Sequence, residues 1–466
     1  MGPGRCFCHY KPRVCRMNLW KFLFLCTAVA GIIYLNKQWI IPSYCPSLSD
    51  IFSSISSIVQ KNSGRDHRRP KIIHGDSSFE NSDLQEEEDP FDSDDDQRWH
   101  EMIKKLDTHR ESSTNSSKPE KDQQLPFEFP NIPPSPPRYN LSTERIVFLK
   151  THRTAGSTVA SLFKRYGYNH KLFFALPKNL QAKDFLQTVK FHRSFIFEYP
   201  WVPQQKYNIL ASHARYERTE MEFVVPKATF ITILRKPEDQ FESMFGFHNI
   251  AEDLDLQNTS NPLEKFVDGI KAYYKTEMKF RLFFKNGQLF DLGMDEKDMD
   301  DERKIYAKIK SLEEEFDLVL IREYFDESLI LLKKLLGWKD DDILYFSSRV
   351  RSSSHRYEMN DNIKAKIRQW NKGDVMLYEH FNKTLQWKIQ EYGPSFQEDL
   401  ERFRRKNREV FDDCVDKNHY DSSDRRLKRY VLSNFADSLC KELNRNEYEY
   451  HSLLRSLMIS NKLFRV

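Results

Sequence analysis

One stretch decides the fold of this chain: residues 146–163, which read IVFLKTHRTAGSTVASLF. Ile146 to Leu149 is a continuous apolar run, which is typical of a strand buried on both faces. After the turn, apolar residues recur at helical spacing, and they are Val159, Leu162, Phe163 and Tyr166. The stretch therefore predicts a buried strand, a short loop and an amphipathic helix.

The loop between this strand and this helix has the composition of an anion site. Its residues are small or hydroxylated, namely Thr154, Ala155, Gly156, Ser157 and Thr158. Unpaired N–H groups at the start of a helix and the positive end of its dipole attract an anion, and hydroxyls add donors. The Walker A pattern G-x-x-x-x-G-K-[ST] is absent, which disfavours a nucleoside triphosphate. A plain tight connection is the alternative interpretation.

A second strand and helix provide a basic residue and a hydroxyl. Residues 228–235 read ATFITILR, a buried-strand pattern that ends in Arg235, and Pro237 then stands at the first position of a helix. Because Ser243 follows on that helix, its hydroxyl and the Arg235 guanidinium could bind a second phosphate together. An arginine paired with a neighbouring carboxylate is the other interpretation.

Together the two motifs resemble the sulfotransferase pattern. In that pattern a strand-loop-helix binds the 5′-phosphosulfate of 3′-phosphoadenosine 5′-phosphosulfate, and R-x-P-x-x-x-x-x-S binds its 3′-phosphate. Residues 148–158, FLKTHRTAGST, are similar to the F-L-K-T-H-K-T-x-[SG]-S-T signature of the galactose 3-O-sulfotransferases. More of that family's pattern follows at residues 212–216, 241–243, 286–293, 316–328 and 377–384. The resemblance covers roughly residues 141–450 and implies a Golgi enzyme that sulfates the 3-hydroxyl of galactose in a glycolipid or glycan.

The resemblance also implies roles for individual residues. The donor would contact Lys150, the loop Arg153–Thr158, Arg235, Ser243 and Arg351. A base must take the acceptor proton, and histidine has a suitable pKa, so His213 is the first candidate and His152 the second. Where the family usually has a catalytic lysine, this chain has Arg153, whose planar fork is not an equivalent donor. Either Arg153 serves at altered geometry, or Lys150 reaches in, or activity is lowered.

Other apolar runs predict the rest of the domain. Strands are expected at residues 207–211, 316–321 and 343–346, and an apolar helix at 327–338. The alternation of strands and helices predicts an α/β domain over residues 141–466, with a parallel sheet flanked by helices. The resemblance implies that this is the P-loop-like sulfotransferase fold. Site residues belong at the carboxyl ends of the strands, where His152, His213, Arg235 and Arg351 fall.

The preceding segment has the features of a membrane-anchored luminal protein. Residues 19–41 predict a transmembrane signal anchor around the uncharged stretch 22–35, and residues 1–18 hold basic but no acidic side chains, which predicts a cytosolic tail. A cleaved signal peptide is the alternative. Residues 42–140 predict a disordered luminal stalk, because they combine an acidic run with a proline cluster. We therefore expect a single-pass type II protein of the Golgi membrane.

Cysteines and sequons agree with a secretory compartment. Cys414 and Cys440 can form a disulfide, and Cys45 is left over to link two chains in a homodimer. Glycosylation candidates in N-x-[ST] sequons are Asn115, Asn140, Asn258 and Asn382. We expect no metal, because no C-x-x-C or H-E-x-x-H pattern occurs, and the net charge of +4 does not favour nucleic acid.

Three other functions stay open at this point. The first is a sulfotransferase that acts on another sugar position or on a proteoglycan. The second is a glycan-binding pseudoenzyme in which Arg153 blocks the chemistry. The third is a membrane-tethered scaffold whose acidic stalk is the working part.

Overall fold

Four short parallel strands form the sheet that positions the site. In this computed structural model they are β1 (Ile146–Leu149), β2 (Ile209–Ser212), β3 (Thr229–Leu234) and β4 (Leu318–Ile321). Their order is β2-β1-β3-β4, and every residue in them is buried. Continuous apolar runs are what strands covered on both faces require, so the predicted parallel sheet is confirmed.

The structure describes residues 132–135, 143–179, 182, 184–199, 202, 207–274, 278, 280–346, 350–351, 356–421 and 427–460, without the side chains of 350–351 and 417–429. All of these residues belong to one unit, Lys121–Val466. The predicted tail 1–18 and anchor 19–41 lie outside the described residues, as does most of the predicted stalk. Among the residues that are described, no helix combines the length and the apolar character needed to cross a bilayer.

Helices connect and flank the strands. Their bounds are α1 Gly156–Asn169, α2 Arg218–Val224, α3 Pro237–Phe247, α4 Ile250–Asp253, α5 Pro262–Asp268, α6 Ile270–Tyr274, α7 Gly287–Asp291, α8 Glu302–Glu315, α9 Phe325–Leu336, α10 Asp340–Ile343, α11 Asp361–Trp370, α12 Lys372–Tyr392, α13 Phe396–Cys414, α14 Ser438–Asn444 and α15 Glu447–Ile459. Short 3-10 turns lie at Arg193–Phe195, Arg281–Phe283, Glu296–Asp298 and Arg322–Tyr324.

The first helix forms as its sequence predicts. Its apolar stripe, which consists of Val159, Leu162, Phe163 and Tyr166, is buried. Helix α1 packs against β2 and against α15 near the carboxyl terminus. Pro237 likewise begins α3, and the helix predicted at 327–338 is α9.

The strand predicted at residues 343–346 is wrong. Ile343 ends α10, and the three residues after it form no strand. The side chain of Arg165 donates to the carbonyls of Asp341, Asp342 and Leu344 at 2.8, 2.8 and 2.7 Å. These carbonyls bond to an arginine and not to a neighbouring strand. The apolar side chains of residues 343–346 are therefore buried in the core without forming a strand.

A second sheet was not predicted. It is antiparallel, with strands β5 (Val350–Arg351), β6 (Val415–Asp421) and β7 (Leu427–Leu432) in the order β5-β7-β6. VDKNHYD is mostly polar, and Lys428 and Arg429 interrupt LKRYVL, so neither sequence is the continuous apolar run that predicts a buried strand. Arg351 therefore lies in this sheet, and the prediction that it follows a strand of the parallel sheet is wrong.

The carboxyl ends of the parallel strands lie along one edge. Leu149 is in register with Ser212 and with Thr232, and Leu234 is in register with Ile321. The residues that follow these strands therefore meet at the same edge, where α/β proteins bind their ligands.

Candidate functional site

The loop between β1 and α1 has an unusual backbone. Arg153 and Ala155 both have positive φ angles, 61° and 66°. Such a conformation is rare for residues other than glycine and is concentrated at functional sites. Helix α1 begins at Gly156, and the preceding Ala155 offers no side-chain cap. The N–H of Thr158 donates to the carbonyl of Ala155 at 3.0 Å, and the N–H groups of Gly156 and Ser157 precede that first bond, which is a suitable place for an anion.

Two threonines and a glycine hold this loop in shape. The hydroxyls of Thr151 and Thr154 lie 2.8 Å apart, and Thr154 also donates to the carbonyl of Thr151 at 3.2 Å. A Cβ on Gly156 would lie 2.7 Å from Cγ of Lys150, so a larger residue could enter only if that side chain moved. Ser157 and Thr158 complete the first turn of α1.

Arg153 brings the two predicted phosphate motifs together. Its Nε donates to Oγ of Ser243 at 3.0 Å, and its Cζ lies 3.9 Å from the centroid of the Phe247 ring. Nη1 of Arg235 donates to the carbonyl of Arg153 at 3.1 Å. The arginine and serine predicted for one phosphate therefore adjoin the loop predicted for the other.

The electrostatics of Arg235 favour an anionic ligand. Burial and, to a smaller extent, the charge of Arg322 lower the pKa of its guanidinium to about 10, while the charges of Asp239, Glu323 and Glu242 act in the opposite direction. Its Nε is buried and has no hydrogen-bond partner among the described residues. A buried donor usually has a partner, and two neighbouring arginines repel each other unless an anion compensates them.

Gln288 holds the backbone of Arg235. The amide of Gln288 accepts from the Arg235 N–H and donates to its carbonyl, both at 2.9 Å. Asp374 in turn accepts from the N–H groups of Gln288 and Leu289 at 3.0 and 2.9 Å, at the start of α7. Burial raises the pKa of Asp374 to about 7. The role of Gln288 was missed, although the stretch that contains it, residues 286–293, was singled out.

His152 is held by a carboxylate. Oδ2 of Asp291 accepts from the His152 backbone N–H at 2.7 Å, and the ring Nδ1 lies 2.9 Å from Oδ1 and 3.0 Å from Oδ2. Nε2 of His152 lies 3.1 Å from Oε1 of Gln187. The ring packs against Phe283, with 4.1 Å between centroids. Asp291 was not predicted as a site residue.

His213 stacks on His152, with ring centroids 4.2 Å apart. Its Nδ1 lies 2.9 Å from the carbonyl of Lys150, and its backbone N–H donates to Oδ1 of Asp184 at 3.0 Å. Burial lowers the pKa of His213 well below its usual range, and the charges of Lys150 and His152 add to this effect. The two histidines predicted from sequence are therefore neighbours, and His213 is neutral.

Lys150 is committed to the core. Its Nζ pairs with Glu447, the first residue of α15, and Lys164 donates to the same carboxylate at 3.2 Å. Burial alone would raise the pKa of Glu447, but the two lysines hold it well below its usual range. The ammonium of Lys150 is therefore paired with Glu447, and its contact with the donor stays a prediction.

The remaining predicted residues belong to other elements or lie outside the described residues. The side chain of Arg351 is outside the described residues. Cys414 and Cys440 form a disulfide between the end of α13 and α14. Asn258 is exposed in a loop, whereas Asn382 lies within α12 with its Oδ1 buried. Asn115 and Asn140 are outside the described residues, as is Cys45. In the part of the chain that is described, no three His, Cys, Asp or Glu side chains are grouped as metal ligands.

Comparisons with known proteins agree with this geometry. The family model described as Galactose-3-O-sulfotransferase matches residues 100–458. Galactose-3-O-sulfotransferase 3 of Bos taurus is 36% identical over 289 residues, which are 61% of this chain and 66% of that protein. Galactosylceramide sulfotransferase of Homo sapiens is 34% identical over 277 residues, 59% of this chain and 64% of that protein. Galactose-3-O-sulfotransferase 2 of Homo sapiens is 31% identical over 350 residues, 68% of this chain and 84% of that protein.

A solved sulfotransferase from Alicyclobacillus acidocaldarius matches 50% of this chain and 94% of its own, at 13% identity and a TM-score of 0.30, which is too low to support an argument. The family model, by contrast, covers most of the chain, although the first relatives named above are matched over less than two thirds of their length. The protein is therefore a member of the sulfotransferase class. The chain belongs to the galactose-3-O-sulfotransferase family.

Proposed function

We propose that this protein transfers a sulfuryl group from 3′-phosphoadenosine 5′-phosphosulfate to the 3-hydroxyl of a galactose in a glycolipid or glycan. The observation that carries the proposal is the junction of Arg153, Ser243 and Arg235 beside the start of α1, in a chain of this family. Such a junction offers donors to two anionic groups at once, and the donor molecule has two of them.

The residues present fit this donor. The loop Thr154–Thr158 would bind the 5′-phosphosulfate through backbone N–H groups and hydroxyls. Arg235, whose buried Nε lacks a partner among the described residues, would bind the 3′-phosphate together with Ser243. Arg153 lies between the two and would neutralise charge on the transferring group.

The sulfuryl group is already electrophilic, so the protein does not need to form a covalent bond to it. By analogy with phosphoryl transfer, the protein positions donor and acceptor in line and stabilises charge on the departing oxygen. It must also take one proton from the sugar hydroxyl, and the stacked pair His152 and His213 lies at the same edge of the sheet as the donor loop.

The setting of this reaction is also proposed. Residues 1–18 would be a cytosolic tail, 19–41 a signal anchor, 42–140 a luminal stalk and 141–466 the catalytic domain of a type II Golgi membrane protein. The disulfide between Cys414 and Cys440 supports an oxidising lumen. Glycosylation of exposed Asn258 and a homodimer linked through Cys45 belong to the same proposal.

One observation favours a second function, a glycan-binding protein with weak turnover. The guanidinium of Arg153 is engaged by Ser243 and by the Phe247 ring, and its fork differs from the compact charge of a lysine. Such a protein would bind donor product and galactosides but would sulfate them slowly.

An acceptor screen tests the proposal. The purified full-length protein is supplied with labelled donor and with galactosylceramide, a free galactoside or a proteoglycan chain, and the linkage of each product is determined. Sulfate on O3 of galactose supports the proposed activity. Sulfate at another position or only on the proteoglycan favours the alternative acceptor, and binding of both ligands without turnover favours the glycan-binding protein.

A further inference from the structure

Asp291 contacts both the backbone and the ring of His152 through hydrogen bonds. One carboxylate oxygen accepts from the backbone N–H of His152, and both oxygens lie within 3.0 Å of the ring Nδ1. Asp291 is 2% exposed and His152 is 9% exposed. This double contact fixes the position of the residue and the rotation of its ring together.

The contact also determines which ring nitrogen is available. A carboxylate accepts hydrogen bonds, so Nδ1 of His152 must carry a proton, and in the neutral ring Nε2 is then the acceptor. Nε2 faces the side-chain amide of Gln187, at 3.1 Å from Oε1. A half-turn of that amide presents its NH₂ group to the Nε2 lone pair. Gln187 therefore occupies the place from which a hydroxyl could reach Nε2.

His213 is less suited to accept a proton. Its Nδ1 contacts a neutral carbonyl, that of Lys150, whereas His152 has a carboxylate that stabilises the imidazolium form. Burial and the charge of Lys150 also keep the pKa of His213 well below its usual range. From sequence, His213 is the first candidate for the base because it lies on another strand. The hydrogen bonds of the two rings favour His152 instead.

We propose that Asp291 is a positioning residue, which makes Nε2 of His152 the proton acceptor in sulfuryl transfer. The inference rests on the proposed function and deepens it. As the sugar oxygen forms its bond to sulfur, the proton of that hydroxyl moves to Nε2, and the bond between sulfur and the bridging phosphate oxygen breaks. The electron pair of that bond leaves with 3′-phosphoadenosine 5′-phosphate. The imidazolium stays paired with Asp291 until its proton is released to solvent.

Several charged and titratable groups face His152. Asp291 comes from α7, His213 from the end of β2, Arg153 follows in the chain, and His248 lies just after α3. Burial, together with the neighbouring His152 and Arg153, lowers the pKa of His248 to about 4. Asp291 and Arg153 carry charge among these groups, and Asp291 is the one that contacts the ring nitrogen of His152.

The test compares Asp291→Asn and Asp291→Glu with the parent in the full-length protein. We expect kcat of Asp291→Asn to fall on the order of 100- to 10,000-fold, the range of general base catalysis, while the affinity for 3′-phosphoadenosine 5′-phosphate stays near the parent value. A loss of kcat at unchanged affinity for the donor product separates an effect on proton transfer from a loss of the donor site. Asp291→Glu should regain part of the lost rate.

Asp295→Asn is the matched control. Asp295 lies four residues further on and pairs with Arg215 and Lys190, so its removal should leave kcat near the parent value. If Asp291→Asn does not fold, ring ¹⁵N spectra of the histidine-labelled parent, assigned with His152→Gln, replace it. They should show the Nδ1-protonated tautomer at His152, and an Nε2-protonated tautomer would overturn the proposal.

The outcomes separate this inference from the proposed function. A parent protein that sulfates galactose, with an Asp291→Asn variant of unchanged kcat and unchanged pH profile, overturns the role of Asp291 alone. A folded parent that binds 3′-phosphoadenosine 5′-phosphate but sulfates no acceptor contradicts the proposed function, and the tautomer measurement then still decides whether Asp291 fixes the ring of His152.

Discussion

Arg153 donates from its Nε to Oγ of Ser243 at 3.0 Å and so joins the loop after β1 to helix α3. The two residues are 90 positions apart in the chain. Because Arg235 also donates to the carbonyl of Arg153, the two phosphate motifs form one continuous set of donors. Arg153 is therefore both a departure from the family signature and the link between its two halves.

The first prediction concerns this departure. If Arg153 neutralises charge on the transferring group, Arg153→Ala should depress turnover strongly, whereas Arg153→Lys should retain or raise it, since lysine restores the compact charge of the family signature. Turnover of labelled donor at saturating acceptor measures both. An alanine variant as active as the parent would show that the charge comes from another residue.

The second prediction concerns the 3′-phosphate. Arg235→Ala should weaken the binding of 3′-phosphoadenosine 5′-phosphate by about 1.5 to 3 kcal/mol, the value of a charge-assisted contact, and Ser243→Ala should cost less. Binding of adenosine 5′-phosphate, which lacks the 3′-phosphate, should change little. Calorimetry on the parent and both variants measures these affinities.

Arg368→Ala is the control for that series, because Arg368 forms its ion pairs with Glu238 and Glu379. Its affinities should equal those of the parent. An Arg235→Ala variant that keeps its fold and still prefers the 3′-phosphorylated nucleotide would place the 3′-phosphate elsewhere.

The third prediction separates the two stacked histidines. His152→Ala should abolish most turnover and remove the acidic limb of the kcat profile, because it removes the proton acceptor. His213→Ala should cost less, since burial lowers the pKa of His213 well below its usual range and its Nδ1 contacts a neutral carbonyl, that of Lys150. Measurements of kcat between pH 5 and pH 8, with donor-product binding as a check of the site, compare the variants. The reverse pattern would assign the base to His213.

The fourth prediction concerns stability in acid. Burial lowers the pKa of His451 to about 3, aided by the charges of Lys164 and Arg455, and Arg455 donates to its Nε2 at 2.8 Å. In the unfolded chain a histidine titrates near pH 6.5. As the pH falls from about 6.5 towards 3, the unfolded state therefore binds a proton at His451 that the folded state does not bind. The free energy of unfolding decreases over this range by up to about 1.4 kcal/mol per pH unit.

His451→Gln tests this effect, because glutamine can still accept from Arg455 but does not titrate. Urea unfolding at pH 7.5 and pH 5 should give the parent a loss of unfolding free energy that is roughly 2 kcal/mol larger than that of the variant. Equal losses in the two proteins would mean that His451 is protonated in the folded state.

Local patterns predicted what depends on neighbouring residues in the chain. The apolar run before Lys150 is β1, Pro237 begins α3, and Arg235 and Ser243 come together because a helix follows directly on a strand. The local pattern gave a wrong strand at residues 343–346, because the backbone there bonds to a side chain distant in the chain, that of Arg165.

The partners of the site residues could not be predicted for the same reason. Asp291 is 139 positions from His152, and Glu447 is 297 positions from Lys150. No periodicity links residues so far apart, and only the fold, in which α15 packs against α1 and α7 against α12, brings them together. The family resemblance had pointed to the stretch that contains Asp291 without giving it a role.

The most direct test of the central claim uses two acceptors that differ in one hydroxyl. The full-length protein is supplied with labelled 3′-phosphoadenosine 5′-phosphosulfate and either a β-galactoside or its 3-deoxy analogue, and transfer of label is followed over time. We expect the protein to transfer labelled sulfate to O3 of the galactoside and to transfer no sulfate to the 3-deoxy compound. Equal labelling of the two acceptors, or labelling of neither by a protein that binds the donor product, would contradict it.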